Sequence, residues 1–208
     1  MKLDSGATIL FQGDSITDFG RNDTPDGLGT GYVPMIRALL AVKSKEHKFN
    51  ILNRGIGGDR TVELLARWKA DCLDLKPELL SIMIGVNDVW RLRGEWNGQK
   101  FVAFEEYCAN YRSLLDQAKA AGIKHFVLMS PSAIEDNKDA ELLQHLDQRA
   151  EFVKALAKEY KAIYVPIREE QKRVMALYPE VKWTADGCHP NPAGHALFAQ
   201  VWLNTVKL

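Results

Sequence analysis

The sequence predicts an α/β protein, a three-layer α/β/α sandwich around a five-stranded parallel sheet. Two observations carry this. Five short, nearly continuous apolar runs recur along the chain, as strands covered on both faces require. Longer stretches with helical periodicity separate them, so each strand returns through a crossover, which should be right-handed. The 208 residues contain no repeat, no low-complexity tract and no linker, so residues 1–208 read as a single domain.

The first predicted strand is Ile9-Leu10-Phe11, and the second is Phe49-Asn50-Ile51-Leu52. The third is Leu79-Leu80-Ser81-Ile82-Met83-Ile84. Phe126-Val127-Leu128-Met129 and Ile163-Tyr164-Val165 complete the sheet. Helical spacing covers residues 32–42, 61–72 and 101–121, the last stopped by Gly122 as a C′ glycine. Leu142, Leu146, Val153, Leu156 and Tyr160 mark a fourth helix. The last helix opens on Asn191-Pro192, an N-cap followed by proline at the first helical position, and carries Leu197, Phe198, Val201 and Trp202. Residues 19–31 and 90–100 read as long loops, and such loops in a compact domain often carry function.

The charge balance narrows the function. Lysine plus arginine number 27, aspartate plus glutamate 27, and the net charge is zero. A nucleic-acid binder needs a net basic face, and a polybasic membrane-surface protein needs the same. No apolar run approaches a membrane span, and the first fifteen residues lack the apolar core of a secretory signal. Cys72, Cys108 and Cys188 form no CxxC pair, which suits a reducing, cytoplasmic setting.

In an open parallel sheet, ligands bind beyond the carboxyl ends of the strands. Gly13-Asp14-Ser15-Ile16 follows the first strand, and Asn53-Arg54-Gly55-Ile56-Gly57-Gly58-Asp59 follows the second. Gly85-Val86-Asn87-Asp88 follows the third, and Asp186-Gly187-Cys188-His189 lies near the C-terminus. Taken singly, each has an ordinary role as a turn, a cap or a loop. Together they supply what nucleophilic catalysis needs: a hydroxyl, a base, a group to orient the base and oxyanion donors. Ser15 is the candidate nucleophile, His189 the base and Asp186 its partner. Gly58, Asn87 and the Ser15 backbone N–H are the candidate oxyanion donors.

These four blocks, in this order and spanning nearly the whole chain, resemble those of the SGNH (GDSL-type) hydrolases. Four blocks in order, with aspartate three residues before histidine, are far more specific than the GDS block alone. Ile16 departs from the leucine of the family's name, a conservative change. The resemblance assigns the same roles to Ser15, Asp186, His189, Gly58 and Asn87. Gly58 is preferred to its neighbour Gly57 because it directly precedes Asp59. The resemblance also implies the flavodoxin-like strand order 2-1-3-4-5. The segments DGLGTGYV, NRGIGGDR, LLARW and SIMIGVNDVWR resemble a subgroup that includes intracellular acetyl xylan esterases. The implied reaction is removal of O-acetyl groups from xylo-oligosaccharides through an acyl-enzyme on Ser15, with no metal or organic cofactor. The superfamily's short-chain acyl esterases, lysophospholipases and thioesterases are the alternative.

Trp90, Trp96 and Trp183 are candidate sugar platforms, because an indole face can stack on a sugar ring. Packing or a subunit contact, as in a homo-oligomer, is the competing role. Trp68 and Trp202 fall in helical patterns and read as core. Asp14 reads as a residue that fixes the nucleophile turn. Arg54 and Arg60 read as surface or ion-pair residues, and His195 as a locally packed one.

Rival chemistries fail on spacing. Arg60 stands where a dinucleotide fold needs its third glycine, no P-loop pattern is present, and Thr17 breaks the GxSxG elbow. Histidines 47, 125, 145, 189 and 195 show no zinc-hydrolase spacing.

Overall fold

The computed structural model describes residues 1–43, 48–95, 97–132 and 139–208. Trp96 therefore lies outside the described residues. The strands are β1 (Thr8–Gly13), β2 (Asn50–Asn53), β3 (Leu79–Met83), β4 (His125–Met129) and β5 (Ile163–Val165). All neighbours pair parallel, in the order β2-β1-β3-β4-β5. The sequence expectation of a five-stranded parallel sheet in that order holds. β1 lies inside the sheet, between β2 and β3, as its apolar Ile9-Leu10-Phe11 run, buried on both faces, requires.

Side-chain alternation sends the strand residues into two cores. Ile9, Phe11 and Met83 join Ile36 of α2 (Tyr32–Lys43) and Phe198 and Trp202 of α9 (Pro192–Val206) on one face. Leu10, Leu80 and Ile82 join Leu64 of α3 (Thr61–Ala66), Trp68 of α4 (Trp68–Asp71) and Leu114 of α6 (Phe104–Ala120) on the other. Helix α7 (Ala140–Glu159) reaches both, with Leu142 and Leu146 in the first core and Val153 and Leu156 in the second. The two buried indoles satisfy their N–H groups: Trp202 donates to Ser81 Oγ (3.1 Å) and Trp68 to the Leu114 carbonyl (3.0 Å).

The expected caps are present. The Asn191 side chain accepts from Gly194 N–H at 3.1 Å, and Gly122 follows α6 with φ +90°. The expected helix over residues 61–72 is broken at Arg67, which leaves helical geometry at ψ 3°. Its guanidinium reaches Asp59 Oδ2 (2.6 Å), Gln12 Oε1 (3.0 Å) and the Gly13 carbonyl (3.2 Å), tying this turn to the end of β1. Among the described residues, three helices have no counterpart in the sequence reading: α1 (Ser15–Asp18), α5 (Val86–Trp90) and α8 (Ile167–Leu177). The loops at residues 19–31 and 90–100 each contain a short 3₁₀ turn, Arg21–Asp23 and Arg91–Arg93. Among the described residues, no helix is long and apolar enough to cross a membrane.

Candidate active site

The carboxyl ends of β1, β2 and β3 and the loop before α9 converge on one pocket of about 480 Å³. Ser15, Gly58, Asn87, Trp90, Asp186 and His189 line it, together with Gly57, Arg91 and Cys188.

Ser15 is placed by a tight turn. A Cβ on Gly13 would collide with the Thr17 hydroxyl and the Met83 carbonyl, so the chain can turn into α1 there only with glycine. Asp14 caps α1 by accepting the Ile16 N–H at 3.0 Å. The Ser15 N–H lies in the first turn, where helix N–H groups have no intrahelical acceptor. Asn53, fully buried at the end of β2, fixes the neighbouring loop to this turn. Its amide donates to the carbonyls of Thr17 (2.6 Å) and Leu28 (2.9 Å), and its oxygen accepts from Gly55 N–H (2.9 Å).

Ser15 Oγ lies 2.8 Å from His189 Nε2, and His189 Nδ1 lies 2.7 Å from Asp186 Oδ2. An Nδ1–H donating to the carboxylate leaves Nε2 to accept from the serine hydroxyl. The other oxygen of Asp186 accepts the N–H groups of Cys188 (3.0 Å) and His189 (2.8 Å), so the carboxylate orders the loop that carries the imidazole. Partial burial pulls the Asp186 carboxyl upward, but hydrogen bonds from the His189 N–H, the His189 ring and the Cys188 N–H outweigh it and hold the group at about 2.

The glycine pair divides its work. Both line the pocket: Gly57 N–H donates to Asp18 Oδ2 at 3.1 Å and is thereby engaged, and Gly58 adopts φ +84°. Asn87 donates one amide hydrogen to the Asp59 carbonyl at 3.1 Å, which fixes the side chain and frees the second hydrogen. Asp88, beside it, is buried, and burial pushes its carboxyl up to about 6 despite hydrogen bonds from Thr61.

Of the three candidate tryptophans, the two among the described residues separate. Trp90 lines the pocket and is 39% exposed. Trp183 is not among the residues lining it. The Trp183 carbonyl accepts the Asn191 N–H at 3.0 Å and abuts Gly194, so its backbone seats the start of α9. Arg60 pairs with Glu63 and Arg54 donates to the carbonyl of Asn53. His195 is buried, accepts the Tyr32 N–H at 3.1 Å and packs on Phe19. Burial, with His189 nearby, pushes its pKa down to about 4, which keeps the ring neutral at physiological pH. Cys188 is buried, and its thiol is pushed up to about 12 by that burial. Sequence reasoning missed Arg91, a buried residue of the pocket wall whose guanidinium donates to Gln99 Oε1 at 3.1 Å. Its position directly after Trp90 was the available signal. Among the described residues, no group of three or more His, Cys, Asp or Glu side chains is arranged to hold a metal ion.

Asp14 makes a stability prediction. Burial raises its carboxyl from 3.8 to about 7, against the Ile16 N–H and the charge of His189, which lower it. A carboxyl raised by folding keeps its proton in the folded state, so stability falls as pH rises from 3.8 toward 7. Asp14→Asn keeps the acceptor for Ile16 and removes the charge. It should stabilise the protein at pH 8 by on the order of 3 kcal/mol, and by little at pH 4. Urea unfolding at both values checks this; equal gains would contradict it.

The model of the GDSL-like lipase/acylhydrolase family matches residues 11–197. An acetylxylan esterase of Geobacillus stearothermophilus is 38% identical over 215 residues, covering 99% of this chain and 96% of that one. The crystal structure of a catalytic mutant of the acetylxylan esterase Axe2 from the same organism superimposes with a TM-score of 0.91 at 36% identity, over 100% of this chain and 97% of that one. LAE5, an alpha/beta hydrolase enzyme from the metagenome of Lake Arreo in Spain, superimposes at 0.87 with 28% identity, over 98% and 96%. With its four blocks gathered at one pocket and a family match running through nearly all of its length, the chain belongs to the GDSL-like lipase/acylhydrolase family.

Proposed function

We propose that the protein is a serine esterase that removes O-acetyl groups from carbohydrate, with acetylated xylo-oligosaccharides as substrates. The observation that carries this reading is the unbroken Ser15–His189–Asp186 chain, at 2.8 and 2.7 Å, opening on a pocket with Gly58, Asn87 and Trp90. The relatives support it. Axe2 is an acetylxylan esterase with catalytic mutants at a serine, an aspartate and a histidine, the last two spaced as Asp186 and His189 are.

The geometry gives each group a task. His189 Nε2 takes the proton from Ser15 Oγ as the oxygen attacks the ester carbonyl. The carbonyl oxygen gains charge among the Ser15 N–H, the Gly58 N–H and the Asn87 amide. Asp186 stabilises the imidazolium, which then protonates the departing sugar hydroxyl. The acetyl group stays on Ser15 Oγ until water, deprotonated by the same imidazole, releases acetate. The pocket has the size of a small-ligand site. Cys72, Cys108 and Cys188 are free thiols, which supports action in the cytoplasm on imported fragments.

Acetate release from acetylated xylo-oligosaccharides, beside p-nitrophenyl acetate and butyrate, tests the reading. Rapid release from the sugar with poor butyrate turnover is expected. Turnover of aryl esters alone would move the substrate to lipids or thioesters. Trp90 sharpens the test. If its indole stacks on the sugar, Trp90→Ala should raise KM for the oligosaccharide about tenfold, equivalent to ~1.4 kcal/mol. KM for p-nitrophenyl acetate should stay within about twofold. Equal changes for both substrates would remove the sugar platform.

A further inference from the structure

We propose that Asp88 is a positioning residue that sets the separation of the oxyanion donors Gly58 and Asn87. The inference rests on the serine-esterase reading above. The two donors come from different elements: Gly58 from the turn before α3, Asn87 from α5. Helix α5 has only five residues, too few to hold its own orientation. Something outside it must fix where Asn87 points.

Asp88 does this from behind the pocket. Its side chain is fully buried, and Asp88 is not among the pocket-lining residues. Both carboxylate oxygens accept the Thr61 N–H, at 3.1 and 3.2 Å, and Oδ1 also accepts the Thr61 hydroxyl at 2.5 Å. Thr61 is the first residue of α3 and closes the turn that presents Gly58. Asn87 donates to the carbonyl of Asp59 in the same turn. Two consecutive residues of α5 therefore grip Asp59 and Thr61, one on each side of Arg60. The grip is braced twice more. Val102 N–H donates to the Asp88 carbonyl at 3.0 Å, and the Asn110 amide donates to Thr61 Oγ at 3.4 Å.

The residue type fits the task. A carboxylate is acceptor-only on both oxygens, so it takes an N–H and an O–H together. An asparagine offers one acceptor oxygen and would turn an NH₂ toward a donor. Burying a carboxylate without a contacting cation is costly, and packing alone does not require one here. What the carboxylate supplies is a fixed distance between two segments, and misplacement by ~1 Å can cost on the order of 10² in rate.

The test is a double-mutant cycle on the full-length enzyme with p-nitrophenyl acetate. Asp88→Asn should lower kcat about 10- to 100-fold, with KM changed less than about twofold. Asn87→Ala alone should lower kcat about 10²- to 10³-fold. The double variant should fall no more than about threefold below Asn87→Ala, because Asp88 acts through that amide. Thr61→Val, which removes one hydrogen bond and keeps the shape, should lower kcat about 3- to 10-fold and lose that effect in the Asn87→Ala background. It decides the matter if Asp88→Asn fails to fold. Effects that multiply in the double variants, or that appear only in melting temperature, would overturn the proposal. An inert Asn87→Ala would instead sink the oxyanion assignment itself, and with it the reading on which this inference rests.

Discussion

Ser15→Ala is expected to lower kcat for ester hydrolysis about 10⁶-fold, the scale seen when a serine hydrolase loses its nucleophile. The substitution removes one oxygen at a half-buried position and leaves Asp186, His189 and the backbone donors in place. Folding should be unaffected, since Asp14 caps the turn and Gly13 makes it. The residual rate should not fall further when His189→Ala is added, because a base without a nucleophile has no proton to take. A serine-directed phosphonate should label the native protein once and the variant not at all. Native-like turnover by the variant would mean that Ser15 is not the nucleophile and that the pocket works by other chemistry.

Asp186→Asn should lower kcat about 10³- to 10⁴-fold at pH 8. The side-chain oxygen of asparagine can still accept the N–H groups of Cys188 and His189, which Asp186 now holds at 3.0 and 2.8 Å. Its NH₂ then faces Nδ1. That nitrogen must become an acceptor, Nε2 carries the proton, and the ring can no longer accept from Ser15. The lower end of the range applies if solvent substitutes for part of the lost charge, since the Asp186 side chain is 55% exposed. In the native enzyme the carboxylate keeps its charge far into acid. Its pKa is lowered from 3.8 to about 2, so its contribution is complete above 3.8 and lost only as pH falls through about 2. An acid limb of the rate profile at higher pH therefore cannot come from Asp186. kcat measured for both proteins from pH 5 to 9 checks the prediction, and a loss under tenfold would show that Asp186 does not set the tautomer.

The sequence disclosed most of the scaffold because parallel strands buried on both faces must be written as apolar runs, and β1, β3 and β4 are. It disclosed the ends of α6 and α9 because Gly122 and Asn191-Pro192 have local backbone reasons to be there. Helix α8 was illegible for a physical reason. Its buried face includes Arg168 and Gln171 beside Ile167 and Val174, so burial and apolarity do not coincide. Helices α1 and α5 are too short to show a period, though the blocks they carry, around Ser15 and Asn87, were the most legible part of the site. The residues behind those blocks were not. Asn53, Arg67 and Arg91 stand inside the segments NRGIGGDR, LLARW and SIMIGVNDVWR, but nothing in the sequence says what their side chains hold. Each acts through a partner far away in sequence, a relation that periodicity does not contain.

Ser15 and His189 are 174 residues apart in the chain, yet their side chains share a hydrogen bond. On the proposed mechanism the ribosome makes the nucleophile 174 residues before its base. The strands that flank Ser15, β1, β2 and β3, all precede the loop at Asp186–His189 in the chain, so on that mechanism the serine stays unactivated until this loop has been made and has packed. Reactivity would thus appear only after both segments have been made. Copies cut between the two residues would carry an unactivated hydroxyl rather than an indiscriminate acyl-transfer centre.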